Sequence, residues 1–192
     1  MKKNHGYYIA RYEASYSSGE TFGVGDNETY YKPASKVSIA RSASSNRALT
    51  TGTLWNFITQ GNASMASRQM YYGNSYVESD LVNSYAWDTA IFYIQAMGNE
   101  NYANVNKRKP MLLNTGATGD EKCHIFDMAG NCEEYTTEYS TGTNGKTVLP
   151  CVIRGGVYAD SSYYTSCRSS TFALGSFEFC SFRPLLYCKT GI

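Results

Sequence analysis

"VIRGGVYADSSYYTSCRSSTFALGSFEFCSFRPLLYCK", Val152 to Lys189, packs Tyr, Phe, Ser, Cys and Ala between two arginine-centred anchors, RGG at Arg154 and SFRP at Arg183, with almost no other charge. A buried core would account for the aromatics, and so would a binding face. The two differ in spacing. Core strands alternate apolar and polar residues, whereas Tyr163 and Tyr164 are adjacent and "ADSSYYTSCRSST" has no sustained period. Irregular segments lie at surfaces, so the run is expected to expose several rings, each able to bury roughly 150–250 Å². Together they match or exceed the apolar patch usual on a monomer. Serine hydroxyls between rings are the chemistry of a recognition surface. The predicted ligand-contacting set is Tyr158, Asp160, Tyr163, Tyr164, Phe172, Leu174 and Phe177. Phe182 and Leu185, beside the second anchor, are assigned to the core.

The 192 residues fit a single domain, 1–192, long enough for a sizeable core. Lys and Arg number 17 against 16 Asp and Glu, so no net charge selects nucleic acid, an anionic membrane or an acidic substrate. Partner choice then rests on shape and aromatic contact, for which the 18 Tyr are suited. Cys123, Cys132, Cys151, Cys167, Cys180 and Cys188 all lie in the C-terminal half without CxxC spacing, which argues against zinc and favours reduced core thiols over disulfides. "MKKNHGYY" has no apolar signal region, and no run approaches the about 18 residues of a membrane span. The expectation is a chain without export signal or anchor, cut as a module from a longer protein.

Along the chain, "YYIARYE" from Tyr7 to Glu13 alternates like a first strand. Residues 15–53, rich in Ser, Thr, Gly and Asn and interrupted by Pro33, are expected as a long surface excursion. A helix is expected over about 60–71, with Ala63, Ala66 and Met70 on one face. A stronger one follows in "NSYAWDTAIFYIQAMG": Trp87, Ala90, Ile91, Ile94 and Met97 share a face, Asn83 or Ser84 caps it, and Gly98 stops it. Short strands are expected at 123–128, 132–138, 148–154 and 179–187. Helices in the middle with strands at both ends predict an α+β fold whose terminal strands meet in one antiparallel sheet.

Few motifs carry catalytic chemistry. "NTGATGDEK" at 114–122 lacks the GK[ST] ending of a phosphate loop. His5 and His124 are the only imidazoles, neither with a visible nucleophile partner, and no GxSxG elbow exists. "IFDMAGNCEEYTTE" at 125–138 is richer: Asp127 and Glu134 flank a tight turn that offers oxygens to a hard cation, or else a turn in which Asp127 and Asn131 bond backbone N–H groups.

The succession "GYYIARYE", "SYAWDTAI", "IFDMAGNCEEYT", "VIRGGVY" and "SFRPLLY" resembles the formylglycine-generating enzyme (sulfatase-modifying factor) domain, a variant of the C-type lectin fold, over nearly the whole chain. The resemblance implies two helices packed on short antiparallel sheets with long loops, and it implies that Arg154 and Arg183 are buried or half-buried struts, each expected to bond carbonyls or a carboxylate through its planar guanidinium fork. It also implies a structural calcium ion held by the side chains of Asp127 and Glu134 and the carbonyls of Gly130 and Cys132, with Glu133 standing where that family has Trp. It does not carry the activity: the family's two active cysteines fall on Asp160 and Thr165 here, and copper-dependent thiol oxidation needs paired soft thiolates. Only a shifted register would use Cys167 and Cys180, and no copper is expected.

A non-catalytic branch of that fold fits the opening stretch better. The variable proteins of diversity-generating retroelements display a mutagenised C-terminal segment, in which adenine-directed changes to Asn codons do not yield Lys, Gln, Glu, Met or Trp. These types make up 30 of the 192 residues, a share that would put about four in 157–182, where only Glu178 occurs. The resemblance therefore implies a non-enzymatic module, with 152–189 as its variable segment, that binds a protein or glycan from a phage particle or bacterial surface. An oxidase of the same fold is the alternative. A calcium-dependent sugar lectin would need EPN, QPD or WND, and none is present.

Overall fold

Arg183 divides the last apolar run. In the computed structural model, which describes residues 6–23, 29–44 and 48–189, the strand expected over 179–187 is two strands in different sheets, with Arg183 at the junction. In chain order the strands and helices are β1 Tyr7–Ile9, β2 Ser15–Gly23, β3 Thr29–Ala34, α1 Gln60–Gln69, β4 Val77–Leu81, α2 Ser84–Ala96, β5 Glu121–Lys122, β6 Ile125–Phe126, β7 Glu133–Tyr139, β8 Thr143–Asn144, β9 Thr147–Val148, β10 Cys151–Arg154, β11 Arg168–Thr171, β12 Cys180–Phe182 and β13 Pro184–Cys188. The terminal strands meet as expected: β1 and β4 flank β13, both antiparallel to it, with Tyr8 opposite Leu186 and Asp80 opposite Leu185. The second sheet runs β11-β10-β7-β12, antiparallel except for β12, which is parallel to β7.

Three expectations are corrected by local geometry. Residues 15–53 are not an excursion throughout, because β2 and β3 pair there, with Pro33 opposite Tyr16. The 123–128 segment is not one strand: Cys123 and His124 take φ of 52° and 63°, which makes them the turn of the β5–β6 hairpin. Within 148–154, Val148 closes the small β8–β9 hairpin and the buried strand begins at Cys151.

Both helices start where capping chemistry puts them. Thr59 accepts from Asn62 N at 3.3 Å, and Asn83 accepts from Ala86 N at 2.8 Å. α1 buries Ala63, Ala66 and Ser67, while Met70 is its half-buried cap. α2 buries Trp87, Ala90, Ile91 and Ile94. Met97 leaves the expected core face because the helix ends at Ala96, and its side chain is exposed.

The core has two main parts. Trp55, Tyr135, Ile153 and Phe182 centre one, and Trp87, Ile94, Met128 and Leu185 centre the other. Phe182 and Leu185 are core residues, as the sequence indicates. The RGG glycines have a steric reason. A Cβ on Gly156 would lie 2.2 Å from the Ala129 carbonyl oxygen, and one on Gly155, whose φ is +94°, would lie 2.9 Å from both the Met128 carbonyl oxygen and the Trp87 ring.

Arg183 is fully buried. Its Nε lies 3.2 and 3.0 Å from the two Glu134 oxygens, Nη2 bonds Glu134 Oε1 at 2.6 Å and Phe126 O at 2.8 Å, and Nη1 bonds Ala10 O at 2.7 Å. Burial opposes its charge, but Glu134, Glu13 and Asp127 around it more than offset that and push its pKa up. The guanidinium thereby joins both sheets and the β6 segment. Arg154 is also buried and pairs with Asp88 of α2, an exposed carboxylate.

Candidate functional site

β11 is an edge strand of the second sheet, with the loop 157–167 before it and the loop 172–179 after it. Four strand residues at about 3.3 Å each separate the loops by roughly 13 Å. The first loop is fixed through its main chain. Tyr158 N–H donates to Asn131 O at 2.9 Å, and Tyr158 O accepts from Lys109 N at 3.0 Å. Asn106 Nδ2 donates to the carbonyls of Asp160 and Tyr163. Thr165 and Ser166 N–H groups donate to Val105 O and Ala103 O at 2.9 and 3.0 Å, and Thr165 O accepts from Trp87 Nε1 at 3.0 Å. None of these bonds uses a side chain of residues 158–164.

On that backbone Asp160 and Tyr164 are exposed and Tyr163 is half-buried. The Asp160 carboxylate turns back onto Ser162, accepting from its N–H at 2.8 Å and its hydroxyl at 2.7 Å, and these bonds hold its pKa below the usual carboxylate range. In the second loop Phe172 is exposed and Leu174 is 87% exposed. The tip is closed by Gly175 N–H to Phe172 O at 3.0 Å, and the Tyr135 hydroxyl reaches from β7 to Gly175 O at 2.9 Å.

Two of the seven predicted contact residues face inward. Tyr158 packs on the small cluster of Leu54, Leu112 and Cys132, and its hydroxyl donates to Glu178 Oε1 at 2.9 Å. Phe177 stacks on Phe179 with ring centroids 5.0 Å apart and packs against the Trp55–Phe182 core. Asp160, Tyr163 and Tyr164 share the first loop and Phe172 and Leu174 the second, so the set forms two groups astride β11.

The sequence reading missed the strand between them. A cleft of about 490 Å³ is lined by Tyr139, Ser140, Val152, Arg168, Ser169 and Ser170. Another, of about 390 Å³, shares Arg168 and includes Tyr85, Asp88 and Glu138. Arg168 pairs with Glu138. The available signal was that Arg168 is the only basic residue between the two anchors.

The two side chains implied as calcium ligands are engaged elsewhere. Asp127 accepts from Gly116 N–H and the Thr118 hydroxyl, Glu134 is held by Arg183, and the Cys132 N–H donates to Glu13 Oε1 at 2.9 Å. Gly130 N–H bonds Asp127 O at 3.3 Å. Asn131 donates to Glu13 and accepts from Leu113 N–H. Among the described residues no group of three or more His, Cys, Asp or Glu is disposed to hold a metal. Calcium takes six to eight oxygens; as arranged, both carboxylates of this set are bonded within the protein, and side chain to main chain bonds help close the turn.

"NTGATGDEK" serves the same turn, with Asn114 accepting from Ala40 N–H and Thr118 bonding Asp127. His124 is exposed and lies 3.6 Å from Glu121, and His5 lies outside the described residues. All six cysteines are free thiols. Cys132, Cys151 and Cys180 are buried, Cys123 and Cys167 half-buried, and Cys188 exposed. Thr165, at one position implied for an active cysteine, is buried beneath Val105 and Trp87.

Glu133 stands apart. It is buried on β7, its Oε1 has no hydrogen-bond partner, and burial together with the nearby Asp160 charge raises its pKa to about 8.

Residues 10–178 match the family model described as "Sulfatase-modifying factor enzyme 1-like domain". The chain belongs to that family. Among solved structures, Treponema denticola variable protein 1 is similar at TM-score 0.54 and 10% identity, covering 94% of this chain and 98% of that one. A structure titled "Crystal Structure of CarF" is similar at TM-score 0.53 and 13% identity, covering 70% of this chain and 67% of that one. No curated protein sequence matches. At these identities the likeness carries the fold. The α+β arrangement of two helices and small, mostly antiparallel sheets is thus the C-type lectin fold as sulfatase-modifying factor domains build it.

Proposed function

We propose that the chain is a non-enzymatic ligand-binding module that displays a diversified C-terminal segment, 152–189, on a C-type lectin fold, as retroelement-diversified surface proteins do. The observation that carries this reading is the main-chain anchoring of 157–167: the backbone is fixed by Asn106, Lys109, Val105, Ala103 and Trp87, while Asp160 and Tyr164 point to solvent. Such a loop tolerates exchange of its exposed side chains, which is what display of changing residues requires. The likeness to the Treponema denticola variable protein supports the same reading. The partner is a protein or glycan on another cell or virion, and the module acts on a phage particle or bacterial surface.

Family membership favours one alternative, an oxidase of the formylglycine-generating type. Its residue chemistry opposes it, since Asp160 and Thr165 supply no thiolate pair. Copper reconstitution followed by a thiol-to-aldehyde assay on a cysteine peptide is expected to yield no aldehyde. In parallel, Tyr164, Phe172 and Leu174 changed together to Ser are expected to abolish binding to a partner isolated on the immobilised wild-type protein. Aldehyde formation, or undiminished binding by the triple variant, overturns the proposal.

A further inference from the structure

Glu133 is only 4% exposed, and its buried Oε1 has no hydrogen-bond partner among the described residues. The other charged side chains with a buried unpartnered atom differ from it: Asp120 is bonded through its second oxygen to Tyr102 and Ala129, and Arg154 through Nη2 to Asp88. A carboxyl group buried without a partner is retained at a cost, and none of the described residues bonds this oxygen.

Its place is specific. Glu133 N–H bonds Phe179 O at 2.9 Å, and Cys180 lies beside it in register, so the end of the 172–179 loop passes alongside. Two residues on, Tyr135, which shares its face of the strand by the twofold period, bonds the tip of that same loop at Gly175. From the other loop, Asp160 is the charge near enough to act on it. Glu133 therefore sits at the base of the two loops of the candidate surface, contributed by a strand outside 152–189.

We infer that Glu133 is the floor of a subsite for an organic cation, a primary ammonium or guanidinium on the ligand, with Asp160 at its rim; the inference rests on the display reading for its partner, a protein presenting a Lys or Arg side chain. The chemistry favours an organic cation over a metal. One buried carboxylate and one exposed one fall far short of a calcium shell, whereas a single charge-assisted hydrogen bond suffices to hold an ammonium or guanidinium. Tyr163 and Tyr164, on the same loop as Asp160, supply ring faces of the kind that attract cations. Because Glu133 lies outside 152–189, it gives recognition a constant element while the segment changes.

The test is an NMR titration of the intact chain with n-butylammonium and n-butylguanidinium, following the backbone amides of Glu133, Asp160 and Phe179. n-Butanol is the neutral control and calcium chloride the metal control. Saturable shifts are expected with the cations, with affinity about tenfold weaker in Glu133→Gln. Asp160→Asn, a change at an exposed position, is expected to weaken it less, and butanol and calcium to give no response. Absence of saturable shifts, equal affinity in Glu133→Gln, or a matching response to butanol or calcium overturns the inference. The titration needs no protein partner, so its failure leaves the display reading to be judged separately by the Tyr164, Phe172 and Leu174 variant.

Discussion

On β7, Glu134 faces the junction of the two sheets and Glu133 faces the loops astride β11, and these neighbouring carboxylates have opposite surroundings. Glu134 is chelated by Arg183, which also bonds Ala10 O and Phe126 O. Glu133 Oε1 has no hydrogen-bond partner among the described residues. Alternation along one strand thus separates a frame, where buried charge is matched, from a binding side, where it is not. The lesson concerns division of labour. Polar chemistry on the Arg183 side specifies one packing of two sheets, whereas the Glu133 side leaves interaction capacity open beneath loops held by their main chains.

The comparison breaks first at Arg183. Arg183→Ala leaves Glu134, Asp127 and Glu13 without their buried cation and is expected to cost about 3–5 kcal/mol, read as a loss of the cooperative urea transition or a large fall in its midpoint. Arg154→Ala should cost less, about 1–2 kcal/mol, because its partner Asp88 is 61% exposed and returns to water when unpaired. Similar losses for the two variants would remove the distinction between the junction and its periphery.

A smaller effect is expected on the loop side. Changing Tyr164, Phe172 and Leu174 together to Ser should leave thermal stability within about 0.5 kcal/mol per site, the usual range for exposed positions. A collapse of melting would make these rings part of the core. The smallest effect is expected from calcium, since Asp127 and Glu134 are already bonded within the protein. A cation bound only to the folded state raises stability by about 2.7 kcal/mol at a hundredfold excess over Kd. Melting in calcium and in chelator should instead coincide, and a gap between them would restore the calcium site.

Much of the frame was legible in the sequence because its signals are local. The apolar period of α2 and its Asn83 cap need few long-range contacts to be interpreted, whereas the arginines of RGG and SFRP were assigned through the family resemblance. The β2–β3 pair was not, because "SYSSGETFG" carries polar and small residues where a half-buried strand would carry apolar ones. Nor was the division at Arg183, since "FEFCSFRPLLYC" is one continuous apolar run and period does not mark a change of sheet.

At the candidate site, the loops were foreseen from irregular spacing, but which rings turn inward was not. Tyr158 and Phe177 are drawn in by Glu178 and Phe179, partners that only the folded chain brings within reach. The isolation of Glu133 was equally hidden, because it depends on what the loops fail to supply.

The most direct test compares Glu133→Gln with Glu134→Gln by urea unfolding across pH. In the folded protein Glu133 keeps its proton up to about pH 8, whereas the unfolded chain releases it in the ordinary glutamate range. This group's contribution is therefore most favourable at acid pH and diminishes as pH rises through that window. Glu133→Gln should remove that decline and raise stability at pH 7 by on the order of 2 kcal/mol, while Glu134→Gln, which strips Arg183 of its carboxylate, should lower it by about 3 kcal/mol. Opposite signs are the predicted result; a loss of stability from both substitutions would contradict the account, because Glu133 would then be part of the frame.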